Sequence, residues 1–225
     1  MRDAAQVESF LEATVACWGR IDVILSNAGD PSHIAPVTEY PEDAFDRTMS
    51  IHARGVFLVC KYGLSQMNDG GSIIITSSVV GVRGGTGINL GYAAAKHAQV
   101  GVMRAAARFA AARGIRVNAL NPGAIDKAFQ TGIEDRMGKL SGVNVTDQLN
   151  QTIPIKRHAR PDEVAGAALY LTSDRQRHNV RPLRPQPRAK PRERAGIDRA
   201  GGEASWLRLY LNKEQFTARI PGASA

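Results

Sequence analysis

The sequence predicts an α/β fold built on a parallel sheet covered on both faces. Two observations carry this expectation. Helical and extended patterns alternate along residues 3–171, and the extended runs are apolar throughout, as in strands buried on both sides. The chain has 225 residues, 43% hydrophobic and 22% charged, enough for one domain with a sizeable core.

Each element follows from local pattern. Residues 3–18 place Val7, Phe10, Leu11, Thr14 and Val15 at helical spacing, and Gly19 stops the helix. Residues 21–25 form a short apolar strand. Pro31, Pro36 and Pro41 mark residues 30–41 as a loop. A second helix is expected to open near Asp43 as N-cap and to bury Phe45, Met49, Val56, Val59 and Leu64. The strand 72–77 precedes a glycine-rich loop, 81–91. A long helix is predicted from Tyr92 to about residue 112, its alanines (93–95, 105–107, 110 and 111) permitting close helix approach. Residues 115–120 form a third strand, 126–160 a variable lid, and 161–171 a last helix. Internal repeats are not evident.

The pattern with most chemical content is Tyr92-Ala-Ala-Ala-Lys96, fourteen residues beyond Ser78, which ends the run Ile73-Ile74-Ile75-Thr76-Ser77. Residues four apart share a helix face, so the phenol and the ammonium can face one pocket. A free phenol has a pKa of about 10, and bringing it to about 7 takes roughly 4 kcal/mol. One positive charge at about 4 Å supplies that order of energy at an effective dielectric of about 20. Ser78, at the strand end, can hydrogen-bond the reacting oxygen.

Five segments in order resemble the short-chain dehydrogenase/reductase family. These are Ser26-Asn27-Ala28-Gly29, Gly71 to Ser78, Tyr92-x-x-x-Lys96, Arg116 to Gly123, and Arg160 to Ala165. The resemblance covers residues 1 to about 173 and implies hydride transfer between NAD or NADP and a small alcohol or ketone, 3-oxoacyl-reductase-like or related. It implies that Tyr92 is the acid-base group, that Lys96 lowers its pKa and holds the nicotinamide ribose, and that Ser78, rather than Ser77, is the catalytic serine. Asn27, Ala28 and Gly29 would border the adenosine side, while Pro122, Gly123 and Ile125 would face the carboxamide. His52 stands where most members carry an Asn that holds a relay water, partly through its backbone carbonyl. Lys127 stands near a Thr that contacts the pyrophosphate in many members. The long helix packs against its symmetry mate in the family, which implies a homo-oligomer.

Measured against that pattern, the expected architecture is a partial Rossmann-type doubly wound parallel sheet lacking the first βαβαβ portion and the last strand. Three strands, the family's fourth, fifth and sixth, are expected. The family's phosphate-binding turn, Gly-x-x-x-Gly-x-Gly, is not found ahead of Asp3, suggesting a start site placed too far downstream. Gly81, Gly85 and Gly87 match that string but lie between Ser78 and Tyr92, with no acidic residue closing a second strand about twenty residues on. They are read as a loop. Residues 174–225 form a basic Arg/Pro-rich tail, expected to be disordered and to arise from a frameshift near codon 175. A non-catalytic remnant without cofactor binding is the alternative function.

Charge and composition narrow the partners. Of the net charge of +8, residues 174–225, with 12 Lys/Arg and 5 Asp/Glu, hold +7, which leaves the body at +1. Nucleic acid is therefore not the expected partner. With no run of eighteen apolar residues and no basic-then-apolar leader, neither a membrane span nor an export signal is expected. Cys17 and Cys60 stand alone without metal-ligand spacing. They read as reduced core thiols of a cytoplasmic protein, with no metal site.

Overall fold

The computed structural model describes residues 2–174, and the basic tail lies outside the described residues. Three parallel strands, β1 (Val23–Ser26), β2 (Ser72–Thr76) and β3 (Arg116–Leu120), form one sheet in the order β1-β2-β3. Ser26 aligns with Ile75, and Thr76 with Leu120, so the three C-terminal strand ends lie side by side. The expected order and direction of these strands are observed.

Helix α1 (Ala4–Trp18) starts at Asp3, whose carboxylate accepts the Gln6 N–H at 3.2 Å, and ends at Gly19 with φ of 76°. It buries Val7 and Leu11. Phe10 is 69% exposed, contrary to its expected place in the core, because it falls off the stripe facing α3. Cys17, expected to be a core thiol, is also exposed. Cys60 is buried, and desolvation lifts its thiol to about 11.

The next helix begins two residues earlier than expected, with its N-cap at Pro41 in place of Asp43. Helix α2 (Glu42–Met49) is capped by Pro41, whose carbonyl accepts the Phe45 N–H, and Asp43 sits inside the first turn. There its charge favours the helix N-terminus. The helix does not run unbroken into α3 (Gly55–Gln66): residues Ser50–Arg54 form a π-turn, the Gly55 N–H reaching the Ser50 carbonyl. Helix α3 lies close on β1; a Cβ at Gly63 would sit 2.6 Å from Ile24 Cδ1.

Strand β2 is the centre of the fold, with Ile73, Ile74 and Ile75 fully buried. Alternation sends Ile73 and Ile75 to one face and Ile74 to the other. The first face holds the main core with Val56, Val59, Leu64, Ala106, Ala110 and Val117. Helix α5 (Leu90–Ala110) begins two residues ahead of Tyr92, and Ala95, Ala106 and Ala110 of its alanine stripe are consumed by this chain's own core. The glycine-rich loop contains a short helix, α4 (Val80–Arg83). Residues 128–152 form helices α6 (Ala128–Ser141) and α7 (Val145–Thr152). Helix α8 (Pro161–Thr172) packs on β2 and β3, and Arg116 on β3 donates to its last carbonyls, Leu171 O and Thr172 O.

Candidate active site

The C-terminal ends of the strands open into a cavity of about 460 Å³. Asn27, Ala28 and Gly29 reach it from β1, and Ser78 reaches it from β2. Pro122, Gly123 and Ile125 reach it from β3, Tyr92 and Lys96 from α5, and His52 from the π-turn. All ten residues singled out in the sequence line this one cavity. Strand ends converge in this way because a parallel sheet sets every C-terminus on the same edge.

The two serines divide their work. Ser77 Oγ donates to the Lys96 carbonyl at 2.9 Å and fixes α5 to the strand end. A Cβ at Gly81 would meet Ser77 Oγ at 2.6 Å and the Lys96 carbonyl at 2.7 Å, so only glycine allows α4 this close. Ser78 Oγ accepts the Val80 N–H at 3.2 Å and hydrogen-bonds the Tyr92 phenol. Ser78 therefore faces the cavity, whereas the hydroxyl of Ser77 is spent on structure.

Lys96 is 5% exposed, donates to the Thr76 carbonyl at 2.8 Å, and lies 5.3 Å over the Tyr92 ring. Burial, then the charge of Lys127, lowers its pKa to about 8. The expected lowering of the Tyr92 pKa by this ammonium does not prevail. Burial of the phenol raises its pKa, and the hydrogen bond from Ser78 only partly offsets this. Tyr92 is thus a protonated phenol at neutral pH.

His52 is 1% exposed and stands edge-on to Tyr92, with centroids 5.7 Å apart. Its Nε2 engages the Asp30 backbone, N–H at 3.1 Å and carbonyl at 2.9 Å. Desolvation, then Lys96, lowers its pKa to about 4, so the ring is neutral at pH 7. The His52 carbonyl, expected to hold a relay water, accepts the Gly55 N–H and Gln99 Nε2 instead. A carbonyl has two lone pairs, and both are used. Among the described residues the ring Nδ1 is buried without a hydrogen-bond partner.

Gln99 was not singled out in the sequence. It is 1% exposed and lies one turn beyond Lys96. An amide on the apolar, core-facing stripe of α5 is the signal that could have found it, since a buried amide requires a partner. Lys127 also lines the cavity, its ammonium 5.3 Å over the Phe129 ring. No cluster of His, Cys, Asp or Glu among the described residues has the arrangement of a metal site, and none of the described helices is long and apolar enough to cross a membrane.

Comparisons with known proteins fit this geometry. Residues 1–178 match the family model described as enoyl-(acyl carrier protein) reductase. Levodione reductase of Leifsonia aquatica is 38% identical over 177 residues, covering 76% of this chain and 65% of that protein. The 3-oxoacyl-(acyl-carrier-protein) reductase of Thermotoga maritima is 34% identical over 176 residues, covering 76% and 67%. The chain thus spans about two-thirds of these relatives' length. Among solved structures, NAD+-bound xylitol dehydrogenase superposes with a TM-score of 0.71 at 29% identity, covering 78% of this chain and 71% of that one. Actinorhodin polyketide ketoreductase with NADPH gives 0.72 at 28% identity, covering 77% and 68%. The chain belongs to the short-chain dehydrogenase/reductase family.

Proposed function

We propose that the cavity carries out hydride transfer between a nicotinamide dinucleotide, NAD or NADP, and a small alcohol or ketone. The observation that carries this reading is the convergence of Ser78, Tyr92 and Lys96 on one cavity with Asn27 to Gly29 and Pro122 to Ile125. The residues present fit the nicotinamide-ribose half of such a cofactor. A buried ammonium and the Tyr92 hydroxyl suit a ribose diol, and the backbone at Pro122 to Ile125 suits a carboxamide. When bound, the nicotinamide supplies or accepts the hydride. The relatives' names are consistent with this chemistry.

The chain's own residues handle the proton. In the reductive direction the Tyr92 phenol, held protonated by burial, donates its proton to the carbonyl oxygen. The Ser78 hydroxyl, oriented by the Val80 N–H, donates a hydrogen bond to the same oxygen. As the phenolate forms, Lys96 stabilises it, and the buried environment strengthens that attraction. His52, anchored to the Asp30 backbone through Nε2, holds its ring edge-on to Tyr92 and fixes the position of the phenol.

Titration of the 225-residue chain with NADH and NADPH, followed by nicotinamide fluorescence, tests the reading. Saturable binding is expected, and Tyr92→Phe should keep it while lowering turnover by about 10² to 10⁴, the usual contribution of a general acid. A chain that binds neither nucleotide would sink the reading. The second reading is a folded relative without chemistry. It draws support from the bare face of β1, where Val23 and Leu25 are 45% and 53% exposed beside Asn27 to Gly29. A wall so open gives half of a dinucleotide little to rest on.

A further inference from the structure

A second cleft of about 570 Å³ lies beside the catalytic cavity, and Thr86, Met137 and Leu149 line both. It runs between the loop ahead of α5 and the helices α6 and α7. None of its lining residues is charged; Ile88, Met137, Val145 and Leu149 form its apolar wall, and Ser141, Gln148, Gln151 and Thr152 are among its neutral polar members. The catalytic cavity is different, for its charges, Lys96 and Lys127, come from α5 and the end of the β3 connection, while Ile133 and Met137 on α6 are apolar. The whole space therefore has a reactive, cationic end and a long neutral arm.

The arm is preformed. Glu134, 5% exposed, sits on α6 between Ile133 and Met137 and accepts from Gln130 Nε2 at 2.7 Å, from Thr146 Oγ1 of α7, and from His158 Nε2 at 2.6 Å. These contacts bind α6, α7 and the segment before α8 into one unit, so that less ordering remains to be done when a ligand enters.

We propose that the substrate is an elongated, uncharged ketone or secondary alcohol whose apolar tail lies in the second cleft, beyond Thr86, Met137 and Leu149. The inference rests on the reading above, in which Tyr92 and Ser78 receive the carbonyl oxygen. A charged tail would lose its hydration with no counter-ion in the arm, whereas each methylene gains by leaving water.

The test is calorimetric titration of the full chain with 2-butanone, 2-hexanone and 2-octanone, with and without NADH. Affinity is expected to rise about two- to fourfold per added methylene. Gln148→Trp and Thr152→Trp, which fill the arm from two positions on α7, should each lower 2-octanone affinity at least tenfold and change 2-butanone affinity less than twofold. A flat series in the wild type would overturn the proposal, as would a length dependence untouched in both variants. Turnover is scored separately. Length dependence without turnover leaves the arm standing and removes the proposed chemistry; turnover with a flat series does the reverse.

Discussion

Two buried bases share one wall of the cavity, and the charge of Lys96 makes His52 harder to protonate. Desolvation and Lys96 hold the His52 imidazole at about 4, while desolvation and Lys127 hold the Lys96 ammonium at about 8. For His52 the folded-state pKa is below the unfolded value of 6.5. Its contribution to stability is therefore present above pH 6.5 and is lost as pH falls toward 4, because the unfolded chain takes up the proton first. A shift of this size corresponds to about 3–4 kcal/mol. Thermal unfolding of the wild type should thus fall steeply between pH 6.5 and 4, and His52→Asn should flatten that slope while keeping a neutral side chain at the site. An equal slope in the variant would assign the titration to another group. At this scale Ser78, Tyr92 and Lys96 were legible as candidates by their spacing, and all three line one cavity. Gln99 was not, because a single amide on a helix carries no spacing. The burial that raises the Tyr92 pKa has no signal in spacing, since it depends on what the fold packs around the phenol.

Elements decide where those residues point. The run from about Asp43 to Leu64 reads in sequence as one helix, yet the π-turn Ser50–Arg54 inserts an extra residue into it. That insertion goes with the buried position of His52 against Tyr92, in keeping with the tendency of π-turns to fall at functional sites. No periodicity reveals such a turn, because every residue in it still has helical backbone. Residues 126–160 were legible only as a lid of unknown structure. One buried carboxylate, Glu134, ties α6 to α7 and to the segment before α8. Burial would raise the Glu134 pKa, but donors from His158, Thr146 and Gln130 outweigh it, and the pKa is lowered. A lowered carboxylate contributes stability above its unfolded value of 4.5 and loses it as pH drops further. Glu134→Ala leaves three donors without an acceptor and should cost about 1–3 kcal/mol. The expected readout is a lower Tm with faster proteolysis near Gly142, where α6 ends, while Glu134→Gln, which keeps one acceptor oxygen, should fall between. If Glu134→Ala melted like the wild type, another contact would have to order the lid.

For the whole molecule, the sheet is the issue. Strand β2 is paired on both sides and covered on both faces, which is why its unbroken isoleucine run announced it so clearly. Strand β1 has the same kind of apolar sequence in a different setting. Among the described residues it pairs only with β2, and Val23 and Leu25 project from its open face. An apolar strand with a row of unpaired backbone groups is a template for another chain, and Phe10 and Trp18 of the preceding helix add exposed apolar surface, at 69% and 75%. The same edge carries Asn27 to Gly29 into the cavity. Preparations of the 225-residue chain should scatter light increasingly with concentration. Placing charge on the open face by Val23→Lys with Leu25→Lys should suppress that scatter, since both side chains already face solvent and neither belongs to the buried core. The variant should also keep its stability within about 1 kcal/mol of the wild type, as expected for exposed positions. Undiminished association in the double variant would move the contact elsewhere on the surface. A large loss of stability would mean that β1 is covered in solution by something its own chain supplies.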